Sequence, residues 1–163
     1  MNAIKKFLKK IKLFFGIGTV KVKLEVPENF KETDTEIKGS VLLIGKSDQK
    51  VNKIKLRMYE KYSKKNKEGQ EIKKEFTLGE MEISKVMDIK EGEEKKVEFT
   101  LPFELMKSKN DQMKDSGGVV GALGSLGAFM DNEKSVYMIV ATADVDAASI
   151  DPNDVATIVK VKA

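Results

Sequence analysis

Cysteine, histidine and tryptophan are absent from this chain of 163 residues, and proline occurs only three times. Without cysteine there is neither a disulfide framework nor a thiolate metal site, which fits a reducing compartment. Without histidine the commonest acid-base group near neutral pH is missing, and no serine or threonine sits in a nucleophile elbow. No apolar run reaches the ~18 residues of a membrane span. No small-residue cleavage site follows Phe15, and lysines interrupt the apolar residues before it, so a secretory signal is not expected. These absences predict a cytoplasmic protein that is not an enzyme and needs no cofactor or metal.

Acid is also missing from the first eighteen residues, which hold five lysines. At about 100° per residue of an α-helix, Ile4, Phe7, Leu8, Ile11, Phe14 and Phe15 share one stripe, and Lys5, Lys6, Lys9, Lys10 and Lys12 lie opposite. The spacing predicts a basic amphipathic helix over 1–16, ended by Gly16 and Gly18. The formal net charge of +4 and the pI near 9.0 come from this segment. Beyond it, 25 cations face 26 acids. Two uses of the helix are open. Its stripe of Phe7, Ile11 and Phe14 packs on the domain or on a second copy, or its lysines, Lys5, Lys6, Lys9 and Lys10 among them, hold an anionic membrane at the inner face. Nucleic acid is not an expected partner, because the lysines lack accompanying arginines and the remainder is nearly neutral.

From residue 17 to 163 the periodicity switches to alternation. Val20, Val22, Leu24 and Val26 alternate with Lys21, Lys23 and Glu25 up to Pro27. Ile37 to Ile44 reads as a second strand, apolar on both faces through Val41, Leu42, Leu43 and Ile44. Ile54 to Tyr62, Ile72 to Leu78, Met81 to Ile89 after Gly79, Val97 to Phe103, Val136 to Val145 and Val155 to Val161 complete eight segments. Their spacing predicts an all-β antiparallel sandwich. A charged loop, Lys64 to Gly69, joins the third strand to the fourth. A glycine-rich insertion at about 107–134 is too long for a hairpin. It is either a surface insertion or a clamp that buries Leu123, Leu126 and Phe129 against a partner or a neighbouring subunit.

Two motifs invite chemistry and do not carry it. Gly39 to Ser47, G-S-V-L-L-I-G-K-S, is one residue longer than a phosphate-binding loop, and its centre is an apolar strand. Asp144, Asp146, Asp151, Asn153 and Asp154 could offer oxygens to a hard cation, but their spacing suits a strand end and an Asp-Pro-Asn turn whose side chains bond the local backbone.

From Gly16 to Lys162 the chain resembles the arrestin-like half of the bacterial sporulation-control (SpoOM-type) proteins. The resemblance rests on F-F-G-I-G-T-V-K-V-K at the domain entry, E-I-K-G-S-V, I-K-L-R-M-Y-E-K-Y and F-T-L-P-F. Its most specific part is A-T-A-D-V-D-A-A-S-I-D-P-N-D, in which Thr142, Asp144, Asp146, Asp151 and Asp154 fit the family pattern. The resemblance implies an arrestin-like sandwich that works by binding proteins, with no catalytic residue. A scaffold or adaptor is therefore the leading expectation, and a peripheral membrane module the alternative. A homo-oligomer through the N-terminal helix or the glycine-rich loop fits either.

Overall fold

A computed structural model describes residues 18–105 and 133–163. The expected helix of 1–16, with Lys5, Lys6, Phe7, Lys9, Lys10, Ile11 and Phe14, lies outside the described residues. So do Leu123, Leu126 and Phe129 of the glycine-rich insertion.

Nine strands make up the described structure: β1 (Val20–Glu25), β2 (Asn29–Lys31), β3 (Glu36–Gly45), β4 (Gln49–Lys65), β5 (Glu71–Ile83), β6 (Met87–Ile89), β7 (Glu94–Pro102), β8 (Glu133–Val145) and β9 (Asn153–Val161). They form two sheets. The smaller runs β1-β3-β7, and the larger runs β2-β9-β8-β4-β5 with β6 paired to the start of β4. All pairings are antiparallel except β2 with β9, which is parallel.

Alternation decides which face each strand buries. Val20, Val22 and Leu24 of β1, Val41 and Leu43 of β3, and Phe99 and Leu101 of β7 point into one core. There they meet Ile54, Leu56 and Met58 of β4, Ile139, Ala141, Ala143 and Val145 of β8, and Ile158 of β9. The alanines on β8 leave room for the larger side chains of the facing sheet.

Three expectations are corrected. The run Val41 to Ile44 is not covered on both faces: Val41 and Leu43 are fully buried, whereas Leu42 and Ile44 are half-buried on the outer face. Leu42 is flanked there by Lys23 and Lys96, and Ile44 by Lys21 and Glu94. Long side-chain stems of this kind shade apolar neighbours while their charges stay in water. Gly79 does not end a strand. β5 passes through it, and a register shift at Met58/Tyr59 leaves Leu78 as the extra residue of a bulge. A Cβ at Gly79 would strike the Pro102 carbonyl oxygen and lie 3.1 Å from Phe103 Cα, so glycine is required where β5 meets the end of β7. The third correction is β2, a three-residue strand with no counterpart among the eight expected segments.

The apparent phosphate loop is β3 itself. Gly39 lies under Phe99, whose Cζ would be 2.8 Å from an added Cβ, and Gly45 faces Ile89 in the same way at 2.7 Å. The aspartates near the end of β8 bond structure around them. Asp154 Oδ2 accepts from Leu24 N–H at 2.8 Å, tying β9 to β1 across the sheets, and Asp151 Oδ1 accepts from Val145 N–H at 3.3 Å. Asp146 accepts from the Asn52 side-chain amide.

Candidate interaction surface

β4 is 17 residues long and outruns the smaller sheet. β7 ends at Pro102, level with Gly79, so from Tyr59 onward β4 continues beyond it with β5 on one side and β8 on the other. Rows of paired residues cross this extension: Phe76, Glu60 and Tyr137, then Lys74, Tyr62 and Ser135, then Ile72, Lys64 and Glu133.

The first two rows bury polar groups. Glu60 and Tyr62 are each 1% exposed and Tyr137 is nearly as covered. The Tyr137 hydroxyl faces the Glu60 carboxylate, and the Tyr62 hydroxyl feels the charges of Glu133 and Glu60. Burial first, and these carboxylate neighbours second, push both phenols above the usual tyrosine range. Phe30 of β2 stacks edge-on against Tyr137 at 5.2 Å and against Phe103 at 5.5 Å, closing the apolar core at this level. A buried phenol held protonated against a carboxylate fixes two strands to one another. None of these three residues stands out in the sequence as a site; the available signal was Glu60 and Tyr62 at i, i+2 on a predicted strand, with Tyr137 on another.

Past these rows lies the turn. Asn66 organises it: its backbone N–H donates to the Gln70 carbonyl at 2.9 Å, and its Oδ1 accepts from Glu68 N–H at 3.0 Å and Gln70 N–H at 2.8 Å. Gly69 supplies the positive φ of 80° that the turn needs. Between residues 61 and 74 stand six lysines, Lys61, Lys64, Lys65, Lys67, Lys73 and Lys74, against only Glu68 and Glu71. On the outer face at its base, Arg57 stacks over the Tyr59 ring at 4.7 Å and pairs with Glu75 at 2.5 Å. An open depression of about 490 Å³ lies beside it, lined by Lys61, Ser63, Lys73, Glu75 and Val136.

Among the described residues, two edges of the sandwich are open along much of their length: β7 pairs only with β3, and β5 only with β4. β1 is engaged at its outer side by Asp154, and β2 is only three residues long. The outer face of β8 and β9 shows Val136, Val155 and Val159, the last 60% exposed.

The family model of the SpoOM protein matches residues 5–159. The chain belongs to the SpoOM family. Among solved structures this SpoOM-family chain is similar to Spo0M, the sporulation control protein of Bacillus subtilis, with a TM-score of 0.62 and 21% identity. The match covers 89% of this chain and 51% of the Bacillus protein, so the chain spans about half the length of that relative. At this identity the likeness is one of fold. None of the curated proteins matches the chain. The family match includes most of the basic N-terminal stretch as well as the sandwich.

Proposed function

We propose that this SpoOM-family protein is a regulatory adaptor that acts by binding other proteins rather than by catalysis. The observation that carries the reading is the pair of open sheet edges, β5 and β7, on a domain whose buried polar groups are used to join its own strands. An exposed edge offers unpaired N–H and C=O groups to an extended segment, and the side chains flanking it select which segment is accepted. The sporulation control assigned to the Bacillus relative supports a regulatory role in the same direction.

The test is cross-linking in the source cell, followed by reconstitution with the protein so identified and hydrogen exchange on the complex. A saturable complex that slows exchange of amides in β5 or β7 is the expected result. Protection restricted to loops remote from both edges, or turnover of a small molecule by the purified chain, would refute it.

A further inference from the structure

We propose that the tip of the β4–β5 hairpin, residues 61–77, is the docking site for an acidic, extended segment of a partner protein, which adds as a strand along the free edge of β5. The inference rests on the adaptor reading and names the edge, the partner's charge and the length of the added strand.

Charge singles out this end of the molecule. The tip, residues 61–77, carries six lysines against Glu68, Glu71 and Glu75, a net three positive charges, while the remainder of the chain after residue 17 holds 19 cations against 23 acids. An acidic segment is thus attracted to the tip and repelled on average by the rest of the domain. The lysines flank both faces of the edge. On the edge strand itself Lys74 lies on the inner face and Lys73, between Glu71 and Glu75, on the outer; one strand behind, Lys61 and Lys65 lie on the outer face of β4 and Lys64 on its inner face, so an added strand has lysines within reach on both faces. Half-exposed Ile72, between Lys73 and Glu71 and on the inner face, offers one apolar contact.

Backbone geometry sets the limit. Glu104 N–H already donates to the Leu78 carbonyl at 3.0 Å, and the Pro102–Phe103 backbone lies against Gly79. An added strand therefore stops at Thr77 and has Glu71 to Thr77 to pair with. The Asn66 turn holds β4 and β5 in register at the other end, so the edge is ordered before the partner arrives.

Other occupants fit less well. A second copy would bring a tip of the same net charge against this one. A bilayer would find no apolar side chain to insert in the turn, Asn66 to Gln70.

The experiment uses the full chain and a fluorescent peptide alternating threonine and glutamate, with the threonine-lysine peptide as control. At about 0.15 M salt the acidic peptide is expected to bind saturably and to shift backbone amide signals of 71–77. The control peptide is expected not to bind. Lys64→Glu, Lys67→Glu and Lys74→Glu together are expected to weaken binding at least about tenfold. Should that variant melt early, the corresponding glutamine variant is read instead, with a loss in the same direction. Equal affinity in the charge variants would overturn the proposal. So would lysine-dependent binding of anionic vesicles in place of the peptide, or self-association that occupies β5. Peptide-induced shifts confined to β7 would overturn the hairpin site and leave the adaptor reading standing. Failure of the adaptor reading would show separately, as cross-linked partners that protect neither edge.

Discussion

At the scale of single residues, the fold is set by a few contacts that tolerate little change. Phe99 is buried in the core and spans the gap above Gly39. Phe99→Ala is expected to destabilise the domain by about 3–5 kcal/mol in denaturant melts, from lost burial and the cavity left behind. Gly79→Ala places a methyl group against the Pro102 carbonyl, and a loss of roughly 1–3 kcal/mol is expected from that overpacking. The two buried phenols make a pH prediction. Their folded-state values lie above the unfolded tyrosine value of about 10, so the folded chain binds more protons than the unfolded chain once pH exceeds that value. Their contribution is therefore fully present below pH ~10 and is lost as pH rises further. Ultraviolet titration should show Tyr62 and Tyr137 ionising only as the domain unfolds. Tyr137→Phe should make stability less steeply dependent on alkaline pH. Reversible ionisation of both phenols near pH 10 in the folded state would contradict their burial.

At the scale of elements, strands that bury one face and wet the other were legible as alternation: β1, β3, β7, β8 and β9 are found close to where alternation puts them, whereas β4 extends beyond the expected Ile54 to Tyr62 at both ends and takes in Lys64 and Lys65 of the expected loop. Elements placed by tertiary contact were not. β2 contributes a single apolar side chain, Phe30, and three residues cannot show a period. Gly79 looks like a break because glycine usually punctuates, whereas here the close passage of Pro102 and Phe103 requires it inside a strand. The apolar run of β3 suggested two covered faces, since lysine stems shading Leu42 and Ile44 leave no mark on their own strand's pattern. The charged loop after β4 was visible as composition, but its function as an ordered projection depends on β4 outrunning the smaller sheet, which only pairing reveals. The glycine-rich insertion yields an element-scale prediction. If it is a surface insertion, deleting residues 115–131 should leave the melting temperature nearly unchanged, because loop-closure entropy varies slowly with length. Collapse of folding or of oligomeric state would identify it as the clamp that Leu123, Leu126 and Phe129 suggest.

At the scale of the whole molecule, the two basic regions are attached to opposite ends of the sandwich. The N-terminal segment joins at Gly18, whose carbonyl accepts from Ser47 Oγ at 2.8 Å beside the β3–β4 turn. That end also carries the β6–β7 turn, joined by Gly45 N–H to Glu93 O at 2.9 Å, and the start of the β8–β9 connection, joined by Asp146 N–H to Lys50 O at 3.2 Å. The hairpin tip lies at the far end of β4, roughly 50 Å away at ~3.3 Å per residue. One expectation from the sequence is that the N-terminal stripe packs on protein while its lysines form a solvated face, as is usual for amphipathic surface helices. Replacing Lys5, Lys6, Lys9 and Lys10 by Gln should then change the pI while leaving melting temperature and acidic-peptide binding intact. Phe7→Ala with Ile11→Ala should lower the stability of the domain or of its oligomer, and the full chain should not sediment with anionic vesicles at physiological salt. The membrane alternative predicts the reverse on every measurement. Each lysine would add up to about 1 kcal/mol near an anionic surface, vesicle binding would fall with salt and with the glutamine substitutions, and the Phe7/Ile11 variant would melt like the unaltered protein.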